Sequence, residues 1–184
     1  KYEPAFEHWQ KALTYAESVD HRLYIGKIYS NYAIYYYIQK DKPQEQHYFK
    51  EAERIFREHQ QYGDLATHYI NILWFKRYER DSREAIEYMD KALYYVQLSD
   101  SKKNAPVYLH LGYIHKTIFS DFIQGIEHLI KSLELSRENG FIEMESMTMN
   151  VLADGYSKID KFSETVNIYT SIMGNDRYKS ITPN

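Results

Sequence analysis

The chain has 184 residues, with 26 acidic against 23 basic side chains and a net charge of −3. Its positive charges are scattered, so it lacks the concentrated basic stripe that tracks a phosphate backbone, and nucleic-acid binding through this segment is not expected. There is no cysteine, hence no disulfide or thiolate chemistry, and no apolar run long enough to span a bilayer. The expected compartment is the cytoplasm, and a cysteine-free chain fits the periplasm equally well. Only 7 glycines and 4 prolines interrupt a composition rich in helix formers, while 20 tyrosines stand out.

The pattern is already helical at Lys1, so the chain is expected to be a segment of something longer. Its first helix carries Ala5, Trp9, Ala12 and Leu13 at the spacing of one helical face. Next comes "YIGKIYSNYAIYYYIQK", Tyr24 to Lys40, with Tyr29, Tyr32 and Tyr36 around the small residue Ala33. The turn "QKDKP" leads into a helix marked by Glu45, Phe49 and Ala52. Tyr69, Ile72 and Lys76 then surround Leu73, and "ERDSR" leads into Ala85, Met89, Ala92 and Leu93. The following helix has its small residue at Gly112, or Tyr113 with no shift of register. After "FSDF" come Gly125, Leu129, Ser132 and Leu133. Met149, Leu152 and Tyr156 then surround Ala153, and "KIDKF" precedes Thr165, Tyr169 and Ile172.

The second-type anchors therefore fall at 5, 45, 85, 125 and 165, a constant period of 40 over five copies. Each unit reads as a helix A and a helix B joined by a polar turn whose aspartate can accept from free helix N–H groups. The organisation is one repeat domain over 1–174. A half unit covers 1–25, with units at about 26–65, 66–105, 106–145 and 146–174, and a polar tail at 175–184. Helices A are missing from the half unit, so Trp9 and Ala12 are expected near a surface covered by preceding chain or by another molecule.

"LHLGYIH" followed by "GIEHLIKSL", and "VLADGYSKIDKF", make the chain resemble the tetratricopeptide repeat. The resemblance implies an all-α, right-handed α-α superhelix of helical hairpins, about nine helices in all. The period exceeds the family's usual ~34 residues, as it does in bacterial regulators, peptide-pheromone receptors and kinesin light chains. Lys76 and His115 stand where the family carries an aromatic residue.

No Gly-rich phosphate loop, G-x-S-x-G or H-E-x-x-H is present. His47, His110, His115 and His128 are expected to be packing or surface residues, and Glu51, Glu53, Glu84 and Glu87 a solvated face interleaved with lysine and arginine. No grouping supplies nucleophile, base and orienter together. The expectation is a non-catalytic module without metal or cofactor.

In the resembled family a partner lies in a groove lined by helices A. Carried over, that lining is Lys27, Ser30, Ile34, Tyr37 and Ile38, then Thr67, Ile70, Trp74, Arg77 and Tyr78. The next unit gives Leu109 or His110, Tyr113 or Ile114, and Lys116 or Thr117, followed by Met147, Asn150, Asp154, Ser157 and Lys158. Ile34, Tyr37, Ile70, Trp74 and Tyr78 would form an apolar floor fringed by Lys27, Arg77 and Lys158, suited to a peptide with apolar side chains. The carboxylate clamp of chaperone-binding repeats is absent, because its positions hold Ser30, Ile34, Ile70, Trp74, Asn150 and Asp154. The implied function is a protein- or peptide-binding segment of a larger bacterial transcriptional or signalling regulator. The alternative is a structural scaffold that forms homo-oligomers through its open ends with an empty groove.

Overall fold

A computed structural model describes residues 2–76, 82–99 and 104–174. Among them are nine α-helices and no strand: α1 (Glu3–Ser18), α2 (Arg22–Gln39), α3 (Lys42–Glu58), α4 (Tyr62–Lys76), α5 (Ser82–Leu98), α6 (Ala105–Thr117), α7 (Phe122–Glu138), α8 (Ile142–Lys158) and α9 (Phe162–Gly174). None is long and apolar enough to cross a membrane. The chain forms two compact units, Lys1–Ser99 and Asp100–Asn184. Within each, every helix packs on its neighbours in sequence, and consecutive A helices also touch, α2 on α4 and α6 on α8. The A helices are α2, α4, α6 and α8. Three of them, α2, α4 and α8, begin four residues before the boundaries read from the sequence, and α6 begins one residue before.

The turns keep the beat. Asp20, Lys40, Gln60, Ser120, Gly140 and Asp160 all have positive φ, between 49° and 68°, at multiples of twenty residues. Each closes a helix in the left-handed conformation that normally favours glycine, at a cost of roughly 1–2 kcal/mol for a residue with a β-carbon. The following N–H reaches back across the turn to free carbonyls: His21 to Ala16, Asp41 to Tyr36, Gln61 to Phe56, Phe141 to Ser136 and Lys161 to Tyr156, at 2.8–3.0 Å. Asp41 and Asp121 then accept from the N–H of Gln44 and Gln124, at 3.2 and 3.1 Å, and start the next helix.

One turn differs. Asp121 N–H reaches His115, six residues back instead of five. This one-residue insertion resolves the register of the fourth unit at Gly112. A β-carbon there would meet Leu129 and lie 2.8 Å from the Gly125 carbonyl oxygen, so α6 and α7 cross where both chains have shed their side chains. Of the alternatives for this unit, that register selects Leu109, Tyr113 and Lys116, but Leu109 and Lys116 are buried, Leu109 in the hydrophobic core. Elsewhere the crossings use Ala33, Ala52, Ala92 and Ala153, all buried. Ser132 takes the same role on α7, and its hydroxyl donates to the Ala105 carbonyl at 2.8 Å, which lets a polar atom sit in the core.

The tyrosines of α2 sort by face. Tyr32 is buried, and Tyr48 of α3 inserts beside it, stacked on Tyr36 at 5.4 Å and edge-on to Tyr32 at 5.0 Å. Phe6 of α1 stacks on Tyr35 at 4.1 Å. Tyr36 is half-buried, less enclosed than its place in the hairpin core suggests, because its ring lies at the edge of this aromatic group. Trp9 packs with Leu13 against the core of α2 while Ala12 is exposed. The proposed tail at 175–184 lies outside the described residues.

Candidate partner-binding face

Consecutive A helices are tied by polar contacts that recur at one spacing. Ser30 and His68, Tyr37 and Phe75, and Lys116 and Asp154 are each 38 residues apart. Two residues short of the repeat is the offset at which side chains of one A helix reach the next.

In the first unit the residues expected on this face are Lys27, Ile34, Tyr37, Ile70 and Trp74. Lys27 is exposed and its Nζ lies 3.2 Å from the Asp64 carboxylate. Ile34 and Trp74 are half-buried. The Tyr37 hydroxyl donates to the Phe75 carbonyl at 3.2 Å, and the Lys76 ammonium lies 5.7 Å from the Tyr37 ring. Tyr37 thus braces α2 against α4 as well as lining the face. Ile70 does not line a groove: it is buried, because α4 packs directly on α2 there and the Ser30–His68 bond closes the approach. Arg77 and Tyr78 lie outside the described residues.

In the second unit Asn150, Asp154 and Lys158 are exposed at successive turns of α8. Asn150 donates back to the Ser146 carbonyl at 2.9 Å. Asp154 accepts from Lys116, whose ammonium also reaches the Val151 carbonyl at 3.4 Å. This part of the face is polar, in contrast with the aromatic part on α2 and α4.

Buried polar chemistry lies beneath the face, where sequence reasoning expected an aromatic. The Lys76 side chain is only 5% exposed, with Nζ 3.0 Å from Glu45 and 3.2 Å from Glu84. Tyr88 donates to the same Glu84 oxygen at 2.8 Å. Burial disfavours the charged lysine, but the Glu45 and Glu84 carboxylates outweigh it and hold its pKa above the ordinary value. For Glu84 burial acts upward, and Tyr88 and Lys76 together bring the carboxyl below its usual range. The group opens onto a cleft of about 270 Å³ between α3 and α5, where Glu53 and Glu87 face Lys50 and Lys91. The lone signal in the sequence was a lysine in an aromatic position.

Three histidines, His68, His115 and His128, are packing residues of an unusual kind, while His47 is exposed. His68 is buried with Nε2 3.2 Å from the Phe49 carbonyl. A carbonyl only accepts, so Nε2 carries the proton and Nδ1 accepts from the Ser30 hydroxyl at 2.8 Å. His115 and His128 meet at 5.1 Å between ring centres, with both nitrogens of His115 and Nε2 of His128 unpaired. Phe119 lies against His115 and Tyr108 against His128. Burial lowers the His68 pKa to about 4 against the opposing Glu53 charge. Burial, then the neighbouring His115, lower that of His128 to about 4, with Asp121 opposing. His115 is lowered too, again by burial against Asp121. Among the described residues no three potential ligands gather around a metal position.

These shifts have a sign. The unfolded imidazoles titrate near ~6.5 and bind protons that the folded ones refuse, so stability is full above that pH and falls toward pH 4. The thermal midpoint is expected to drop steadily from pH 7 to pH 4.5. His128→Phe should flatten that slope in the second unit, and an unchanged slope would show that His128 takes up its proton as readily folded as unfolded.

No family model and no curated protein matches the chain. Among solved structures it is similar to that titled "Crystal structure of BtubC (BKLC) from P. vanneervenii", at 20% identity and a TM-score of 0.65, covering 99% of this chain and 78% of that one. At that identity the likeness speaks to the helical fold alone.

Proposed function

We propose that the chain is a tetratricopeptide-like, non-catalytic binding module that takes a peptide or protein segment on the A-helix face of α2 and α4. It would serve as the regulatory or sensing segment of a larger bacterial regulator, transcriptional or signalling, in the cytoplasm. The observation that carries this reading is the partial exposure of Trp74 and Ile34 beside Tyr37, on a face otherwise closed by polar ties. Those ties hold α2 and α4 in place before any partner arrives, which lowers the ordering cost of binding. Tryptophan and tyrosine on a rigid face are the side chains that most often dominate a binding free energy.

The test is a peptide selected by display against the full chain. Its affinity is expected to fall at least tenfold in Trp74→Ala and to stay unchanged in Trp9→Phe. Undiminished binding by Trp74→Ala would sink the reading. A scaffold that assembles through its ends is the second reading, favoured by a separate observation, the exposed apolar residues of α9.

A further inference from the structure

The repeat supplies its own control for its last helix. On α1 and α7 the residues one, four and eight places after the anchor face the A helix that follows, and on α3 the residue four places after it does. On α1 these are Phe6, Trp9 and Leu13, packed on α2. On α3, Phe49 meets His68 of α4 at 4.3 Å. On α7, Ile126 and Leu129 share a core with Leu152 of α8, and Leu133 packs against it. The contact is in register: Phe6 stacks on Tyr35, and Ile126 lies under Gly155, where a β-carbon would come within 3.2 Å.

On α9 the same places hold Val166, Tyr169 and Met173. They are 61%, 41% and 73% exposed, where Ile126 and Leu129 are 7% and 0% exposed. Phe162, one turn earlier, is exposed as well. This is a continuous apolar stripe on a helix whose only charged residue is Glu164. A contiguous exposed apolar face of this kind marks an interaction surface rather than ordinary scatter.

We propose that the Val166–Tyr169–Met173 stripe is a docking face for one amphipathic α-helix of the A type. The occupant's chemistry is read from α8, which covers the equivalent stripe of α7: apolar residues three and four apart, as in Met149, Leu152 and Tyr156, with a small or flat residue over Val166. Because α9 offers almost no charge, apolar fit selects the occupant and salt leaves its affinity unchanged. The inference uses none of the residues of the A-helix face, so the two stand or fall separately.

The last three residues are replaced so that a second copy of α8 begins at position 182, 40 residues after Ile142, and the chain is lengthened by that helix. Hydrogen exchange of the α9 amides is expected to slow at least tenfold, and the double substitution Val166→Asp, Met173→Asp should abolish that protection. The same substitutions in the unextended chain should leave its thermal midpoint unchanged, since both side chains are exposed. As a second measurement, the free Ile142–Lys158 peptide should shift the Val166 and Met173 methyl resonances, in low and high salt alike. The proposal is overturned if neither fused nor free helix affects α9. It is also overturned if the unextended chain dimerises in sedimentation and the double substitution abolishes the dimer, which would make a second copy the occupant.

Discussion

Lys76→Ala should cost about 3–5 kcal/mol of stability, far more than its single hydrogen-bonded charge would suggest at a surface. The side chain is removed from between Glu45, itself buried, and Glu84, and Glu45 is left with only the solvent-exposed Lys42 ammonium, 3.6 Å away. Isothermal urea unfolding measures the loss. The companion variant Lys76→Met with Glu45→Met removes both charges and keeps the volume, and it should recover most of the loss or exceed the parent. If the single and double variants are equally unstable, the penalty comes from packing and the electrostatic account is wrong.

Tyr69→Ala should be comparably severe, about 3–5 kcal/mol as for other fully buried aromatics. Its ring is fully buried between α3 and α5, with Phe49 of α3 at 5.8 Å, Tyr88 of α5 at 6.0 Å and Tyr95 of α5 stacked at 5.8 Å. Tyr36→Ala is the contrast. Although it occupies a core place in the repeat, it is half-buried, and its loss should cost roughly 1–2 kcal/mol, near the common value for point mutants. Equal losses at the two positions would mean that the Tyr36 group is far better enclosed than its exposure indicates.

Those two tyrosines show what the sequence reveals and what it withholds. The period, the alternation of two helix types and the small crossing residues were all legible, because helical spacing and size are properties of single residues. The sequence alone does not choose between Gly112 and Tyr113 for the register of α6, since a one-residue insertion in a turn leaves both helices equally periodic. The left-handed turn residues were invisible: Asp20, Lys40, Gln60, Ser120 and Asp160 give no glycine signal. Position along one helix says which face Ile70 and Tyr37 occupy but not how near the neighbouring helix comes. Burial of Ile70 and the bracing bond of Tyr37 depend on how closely α4 approaches α2, a quantity set jointly by both helices. The Lys76 cluster was hidden for a similar reason, as its partners come from the helices before and after it.

The even spacing of the left-handed turns also limits how such a chain can change its length. A segment of twenty residues is one helix and one turn, and its gain or loss would leave every later turn intact. It would nonetheless hand each later helix the wrong partner, with A-type side chains arriving where B-type ones are received. Duplication or deletion of forty residues preserves both the turn and the pairing. Growth by whole hairpins is therefore the change that this architecture accepts without altering a single interface downstream.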